Sequence, residues 1–276
     1  MPFARIARLA TLLVVVSGAV VAASEFDAAI VTQSAVRGTP YSPGADCDLA
    51  TIDALSIRHP DTRQFVVMAT TGFDDTRGVV EVAARDTDGT WHCQRPAMSA
   101  RFGRNGTRPL IQRRSGDGTT PAGVFPLGLV TAWDGQVFSM FGNRPDPGVM
   151  APFRDVTPQD CWGATANTPS YQHLVNQPRC PGPIDEWLQG YGQAYSHAAV
   201  IGANLDPISG DQPGETPFAA AIFLHRTSYD SVGNSKPTSG CVSLGAVDLV
   251  DTLRLLDPEL DPHFAIGPTD WLRSSA

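Results

Sequence analysis

Charge is scarce in this sequence, and the sign in excess is negative: 17% of its 276 residues are charged, with 28 acidic against 20 basic side chains and a formal charge of −8. A chain balanced this way offers no electrostatic footprint for nucleic acid or anionic lipid. The six histidines are scattered, and no Cys/His spacing fits a zinc site, so neither a metal nor any other cofactor is expected. A Gly-rich stretch with nearby arginines, Arg113 to Gly128, lacks the Lys-Ser/Thr step into a helix that a phosphate cradle needs. No cysteine closely follows the N-terminal apolar run, which argues against a lipid anchor. What is present, 42% hydrophobic residues, suffices for a sizeable core in one large domain or two small ones.

Arg5 and Arg8 precede the apolar run from Leu9 to Ala23, which is too short and one-sided for a comfortable membrane span, and Val21-Ala22-Ala23 offers a small-residue cleavage site. Residues 1–23 therefore read as a signal peptide; an uncleaved N-terminal anchor is the other reading. Residues 24–46, poor in large apolar side chains, read as a linker, and 47–276 as a single domain. After cleavage the formal charge is about −10, the protein is secreted into the periplasm or cell wall, and no membrane association remains.

Five cysteines, an odd number, become informative in an oxidising compartment. Four allow three connectivities. Cys161 and Cys180 bracket one Pro-rich loop, and Cys47 and Cys93 share the N-terminal third. The expected pairs are Cys47–Cys93 and Cys161–Cys180, leaving Cys241 free; the alternative has Cys241 bonded and another thiol free.

Along the chain, Leu55 to Arg104 is strand-like, with runs at 65–69 and 78–84 and hairpin signals at Asp88-Gly89 and Asn105-Gly106. His59 and His92 read as structural. Residues 138–183 read as an irregular, Pro-rich excursion that is either a substrate wall or a stapled surface loop, with Tyr171 and His173 at the surface. Helical signals appear only around 185–190. A strand at 198–202 starts beside His197, a sheet-edge residue.

The stretch from Phe218 to Leu244 organises the rest. A buried strand, Ala-Ile-Phe-Leu-His, delivers His225; a polar loop follows; then Pro-Thr-Ser-Gly-Cys-Val-Ser-Leu carries Cys241 on a small-residue turn. A histidine and a cysteine so joined can reach hydrogen-bonding distance, as thiolate catalysis requires. Ala246, Leu249, Val250, Leu253 and Leu256 recur at helical spacing until Asp257-Pro258. Cys241 is thus expected at or just before a helix N-terminus, whose partial positive charge favours the thiolate.

These two motifs, together with Gly-Asp-Gly-Thr-Thr-Pro-Ala-Gly-Val-Phe-Pro-Leu-Gly at 116–128, resemble the L,D-transpeptidase catalytic domain, also called the YkuD-type domain, in a secreted bacterial branch. Order and spacing match over roughly Leu55 to Leu256. His225, Thr238, Gly240 and Cys241 fall on the family pattern. Ser239 stands where a second histidine is usual, and Ser243 where Asn or Arg is common.

The resemblance implies a mainly β fold with a few short helices, of sandwich or barrel type. It implies attack by Cys241 on peptidoglycan tetrapeptide stems, a thioester, 3→3 cross-links and covalent inhibition by carbapenem-type β-lactams. L,D-carboxypeptidase or endopeptidase activity on the same stems is an alternative, as is an inactive wall-binding module. His225 is expected as the base, oriented by a backbone carbonyl such as that of Arg226. The N–H groups of Ser239, Gly240 and Cys241 are expected to form the oxyanion hole, with Thr238 and Ser243 beside the substrate. A sortase-like enzyme would need an arginine partner, for which Arg254 is the nearest candidate. Papain-type and NlpC-type peptidases place cysteine before histidine, the reverse of this order.

Overall fold

The computed structural model describes residues 46–205 and 216–276; the expected signal peptide, and the expected linker up to residue 45, lie outside the described residues. Helix α1 (Leu49–Arg58) comes first. Asp48 caps it, accepting the N–H of Thr51 at 3.2 Å and its hydroxyl at 2.7 Å, which satisfies an amide left free in the first turn. Ile52 and Leu55, three residues apart, are fully buried. The strand-like pattern expected from Leu55 therefore begins later, at Gln64.

Strands β1 (Gln64–Thr70), β2 (Arg77–Arg85) and β3 (Trp91–Arg101) are antiparallel neighbours. Gly89, at φ 90° in the tip between β2 and β3, makes the tight reversal that a residue with a Cβ resists. Next come β4 (Thr107–Pro109), β5 (Thr120–Pro126), β6 (Val130–Thr131), β7 (Val137–Phe138), β8 (Met140–Gly142), β9 (Phe153–Asp155), β10 (Asp160–Trp162), β11 (Leu174–Asn176) and β12 (Glu186–Trp187). The chain closes with β13 (Ala198–Val200), β14 (Phe223–Arg226), β15 (Val242–Leu244), α2 (Ala246–Leu255), β16 (Pro262–Pro268) and α3 (Thr269–Ser274). The protein is mainly β. Eleven strands form one sheet in the order β4, β5, β16, β1, β2, β3, β15, β14, β13, β8, β9.

Two readings of the sequence change. The stretch 138–183 is not an irregular excursion: β10 pairs with β11 and β12 in a small sheet of its own. Its strands are two or three residues long, too short to display a period. Trp162 anchors it at 0% exposure, Arg154 of β9 pairs with Asp160 of β10 and with Asp134 in the β6–β7 turn, and Cys161 is bonded to Cys180 with S–S 2.07 Å. The helical signal near 185–190 resolves into β12 and then 3₁₀ turns from Leu188 to Tyr195, interrupted at Gly192.

At the heart of the large sheet, Leu224, Val242, Leu244 and Ala100 pack with Leu249, Leu253 and Leu256, the helical stripe read from the sequence. Under β1, Phe65 and Val67 pack with Ile52 and Leu55 of α1, beside the Cys47–Cys93 bond of 2.09 Å. A third cluster holds Phe138, Phe141, Trp162, Tyr195 and Phe223, directly behind the site. No helix among the described residues is long and apolar enough to cross a membrane.

Candidate active site

Strands β14 and β15 run parallel, with Leu224 opposite Val242, His225 opposite Ser243 and Arg226 opposite Leu244. Side chains alternate between faces along a strand. Phe223 and His225 therefore share one face with Cys241 and Ser243, while Leu224 and Val242 turn to the core. The polar loop between the strands is held by Asp230, whose carboxylate accepts the N–H groups of Val232 at 3.0 Å and Asn234 at 2.8 Å.

The turn that carries Cys241 is braced from several sides. Thr238 N–H donates to the Phe102 carbonyl at 2.8 Å, and Arg104 N–H to that of Thr238 at 2.9 Å, fastening the turn to the end of β3. The Cys241 carbonyl accepts the hydroxyls of Thr238 at 2.6 Å and Thr120 at 3.2 Å. Gly240 sits at φ 156°, and a Cβ there would lie 3.2 Å from the Thr119 carbonyl oxygen, so only glycine fits without displacement. The Gly-rich block at 116–128 is thus the scaffold of the cysteine turn. Within it Asp117 accepts from the Thr119 N–H at 2.8 Å and hydroxyl at 2.7 Å. Arg113, only 3% exposed, donates to Thr119 Oγ1 at 3.0 Å and to the Phe218 carbonyl.

Cys241 is the free cysteine among the described residues, 8% exposed. Its thiol donates to the Ala221 carbonyl at 3.4 Å and its sulfur accepts the Phe223 N–H at 3.4 Å. Ala221 holds the left-handed φ of 52°, a strained setting of the kind that gathers at functional sites. Burial pushes the thiol up to about 12, helped by the nearby Glu186 carboxylate and opposed by the Phe223 N–H and the Arg113 charge. The helix expected to favour a thiolate does not act on it: the three residues of β15 and Gly245 separate Cys241 from α2.

His225, also 8% exposed, places Nδ1 2.8 Å from the Arg226 carbonyl oxygen. That contact assigns the proton to Nδ1 and leaves Nε2 as the basic nitrogen. Burial pulls the imidazole down to about 4, with the Arg226 carbonyl pulling the other way. Burial thus favours the uncharged form of both groups, a neutral thiol and a neutral imidazole rather than a preformed ion pair.

Of the other residues singled out in the sequence, Gly240 N–H is already bonded to Thr238 Oγ1 at 3.2 Å, while the N–H groups of Ser239 and Cys241 meet no partner among the described residues. Ser243 is 1% exposed and its hydroxyl accepts that of Thr227 at 3.2 Å. His92 pairs with Asp86 at 2.8 Å and His197 contacts the Pro145 carbonyl at 3.1 Å, both away from the cysteine. Arg254, on α2, donates to the Pro147 carbonyl at 2.9 Å.

Sequence reasoning did not single out the polar wall formed by Glu186, Tyr191 and Tyr195. Tyr195 lays its ring edge-on against His225, centroids 5.4 Å apart, stacks on Tyr191 at 4.6 Å and donates its hydroxyl to Glu186. Crowding around Glu186 raises its carboxyl to about 7. No spacing in the sequence announces this group, because its contacts to His225 and Cys241 span three separate elements.

Residues 90–262 match the family model described as the L,D-transpeptidase catalytic domain, YkuD. No curated protein and no solved structure matches the chain. The matched stretch takes in β3, the Gly-rich scaffold, the aromatic cluster, His225, Cys241 and α2, and by that match the chain belongs to the L,D-transpeptidase catalytic-domain family.

Proposed function

We propose that this protein is a secreted enzyme of the cell envelope that cross-links peptidoglycan stems through a Cys241 thioester. The proposed layout is a signal peptide at 1–23, a linker at 24–46 and a catalytic domain at 47–276. Two disulfides and a family of wall enzymes support the extracytoplasmic setting. The observation that carries the chemistry is an unpaired cysteine and an Nδ1-anchored histidine on one face of two adjacent parallel strands.

His225 Nε2 takes the thiol proton as Cys241 Sγ attacks the carbonyl carbon of the third stem residue. The N–H groups of Ser239 and Cys241, without other partners among the described residues, stabilise the oxyanion. When the C–N bond breaks, the imidazolium returns its proton to the leaving amine of the terminal D-alanine. An acceptor amine then attacks the thioester, gives its proton to Nε2, and the C–S bond breaks to restore the thiol and leave a 3→3 cross-link. Ser239 in place of the family histidine keeps the backbone donor and changes only the side-chain lining.

Incubation with disaccharide-tetrapeptide followed by mass spectrometry tests the reading. Dimers lacking one D-alanine support it; tripeptides alone mean carboxypeptidase action; unchanged stems leave a wall-binding module. A carbapenem is expected to add one mass at Cys241, and labelling that maps elsewhere would sink the nucleophile assignment.

A further inference from the structure

The sheet register continues past the catalytic pair. Ser243, opposite His225 on β14, faces Arg101 on its other side in β3, and Arg101 in turn faces Arg77 in β2. Directly opposed residues project from the same face, so Arg101 shares the face of His225 and lies two strands away, roughly 10 Å across the sheet. Cys241, His225 and Arg101 keep similar slivers of exposure, 8%, 8% and 7%, with Ser243 lower between the last two at 1%. The residue after Arg101, Phe102, accepts the Thr238 N–H that fastens the cysteine turn.

Arg101 is unlike the other buried arginines. Arg113 has Asp117, Arg154 has Asp134 and Asp160, and the half-buried Arg95 has Asp248 and Asp251. Among the described residues Arg101 has no carboxylate and no hydrogen bond: its Nε and Nη1 are shut from solvent without a partner, which leaves Nη2 as the nitrogen that meets the outside. Its register neighbour Arg77 adds a like charge. A buried cation without a counter-ion is costly, and a native fold retains one where an anion completes it. The chain's net charge of −8 disfavours a polyanion, whereas a planar carboxylate suits a single guanidinium edge.

We propose that Arg101 receives a carboxylate of the peptide substrate beside the Cys241–His225 pair. The assignment rests on the reading of the substrate as a peptidoglycan stem, which offers two candidate carboxylates on the residues that flank the scissile bond: that of the terminal D-residue and the free one on the diamino acid side chain. Arg101 acts as a binding residue that sets the stem along the sheet face, with the scissile carbonyl at the sulfur.

The test uses the full chain carrying Cys241→Ala, which cannot form a thioester, and calorimetric titration with disaccharide-tetrapeptide. Adding Arg101→Gln is expected to weaken binding about 10- to 100-fold, the range of a charge-assisted hydrogen bond, and Arg101→Lys less. Amidating the engaged carboxylate should weaken the Arg101 protein by the same factor and leave Arg101→Gln unaffected; stems amidated at one position or the other identify which carboxylate it is. Melting of Arg101→Gln should stay level or rise, since an unpaired buried charge is removed. Equal affinity in the two proteins, indifference to both amidations, absence of binding or a steep fall in melting temperature each overturns the assignment. Carboxylate-dependent binding in a protein whose wild type releases no D-alanine would instead remove the transpeptidase reading and leave the Arg101 site standing.

Discussion

Strands β14, β15 and β3 have two faces with opposite characters. One carries Leu224, Val242, Leu244 and Ala100 and is sealed by the leucines of α2. The other carries Phe223, Cys241, His225, Ser243 and Arg101, where polar groups are buried without full pairing and titrate far from their usual ranges. A period of two is enough to sort them. The difference teaches that the apolar face sets the positions and the polar face holds what those positions are for, so substitutions on the two faces should be separable.

The sharpest separation comes from His225→Ala. Acylation of Cys241 by a stem or a carbapenem should fall by about 10²–10⁴-fold, the worth of a general base, while the melting temperature hardly moves; a large loss of stability would break the comparison. Leu253→Ala on α2, at 0% exposure, should do the converse. Urea unfolding should record a loss of about 2–5 kcal/mol, with the acylation rate of the folded fraction unchanged.

Gly240→Ala probes the seam between the faces. The positive φ and the approach of the Thr119 carbonyl predict a loss of about 1–3 kcal/mol, together with slower acylation as the turn shifts; normal values for both would mean that the turn yields easily. The smallest effect concerns charge. Glu186 raises the thiol only when ionised, above about 7, so Glu186→Gln should speed iodoacetamide alkylation of Cys241 about three- to tenfold at pH 9, up to one pKa unit. The advantage should fade as the pH falls below 7, where the wild-type carboxyl is protonated. A constant ratio across that range would show that Glu186 acts through packing instead.

What the sequence revealed follows the same division. The runs at 65–69 and 78–84 and the leucine spacing after Ala246 were legible because long elements display their period, and the buried strand that carries His225 and the unpaired state of Cys241 because their signals are local. The small sheet at β10–β12 was hidden by strands too short to alternate. Helix α1 carried a usable signal, Asp48 before Leu49 with Ile52 and Leu55 three apart, next to a lead-in that drew the reading away from it. The helix expected to activate Cys241 was placed at nearly the right residues, yet four intervening positions remove its influence. Glu186 and Tyr195, and the lack of a partner for Arg101 among the described residues, are tertiary facts: each depends on which elements are neighbours, and four of the ten neighbouring pairs in the large sheet are not consecutive in the chain.

That last property carries a consequence in time. Strand β16 lies between β5 and β1 and pairs with β1 in parallel from Gln64–Pro262 to Thr70–Pro268. In the strand ladder, β4 and β5, the latter part of the Gly-rich scaffold that steadies the cysteine turn, meet the remaining strands only through it. A nascent chain cannot complete this sheet until Pro268 has left the ribosome, and such long-range pairings form slowly. Cys241 is made after the other four cysteines and 27 residues ahead of Pro268, and until β16 is in place its thiol is open to the wrong disulfide.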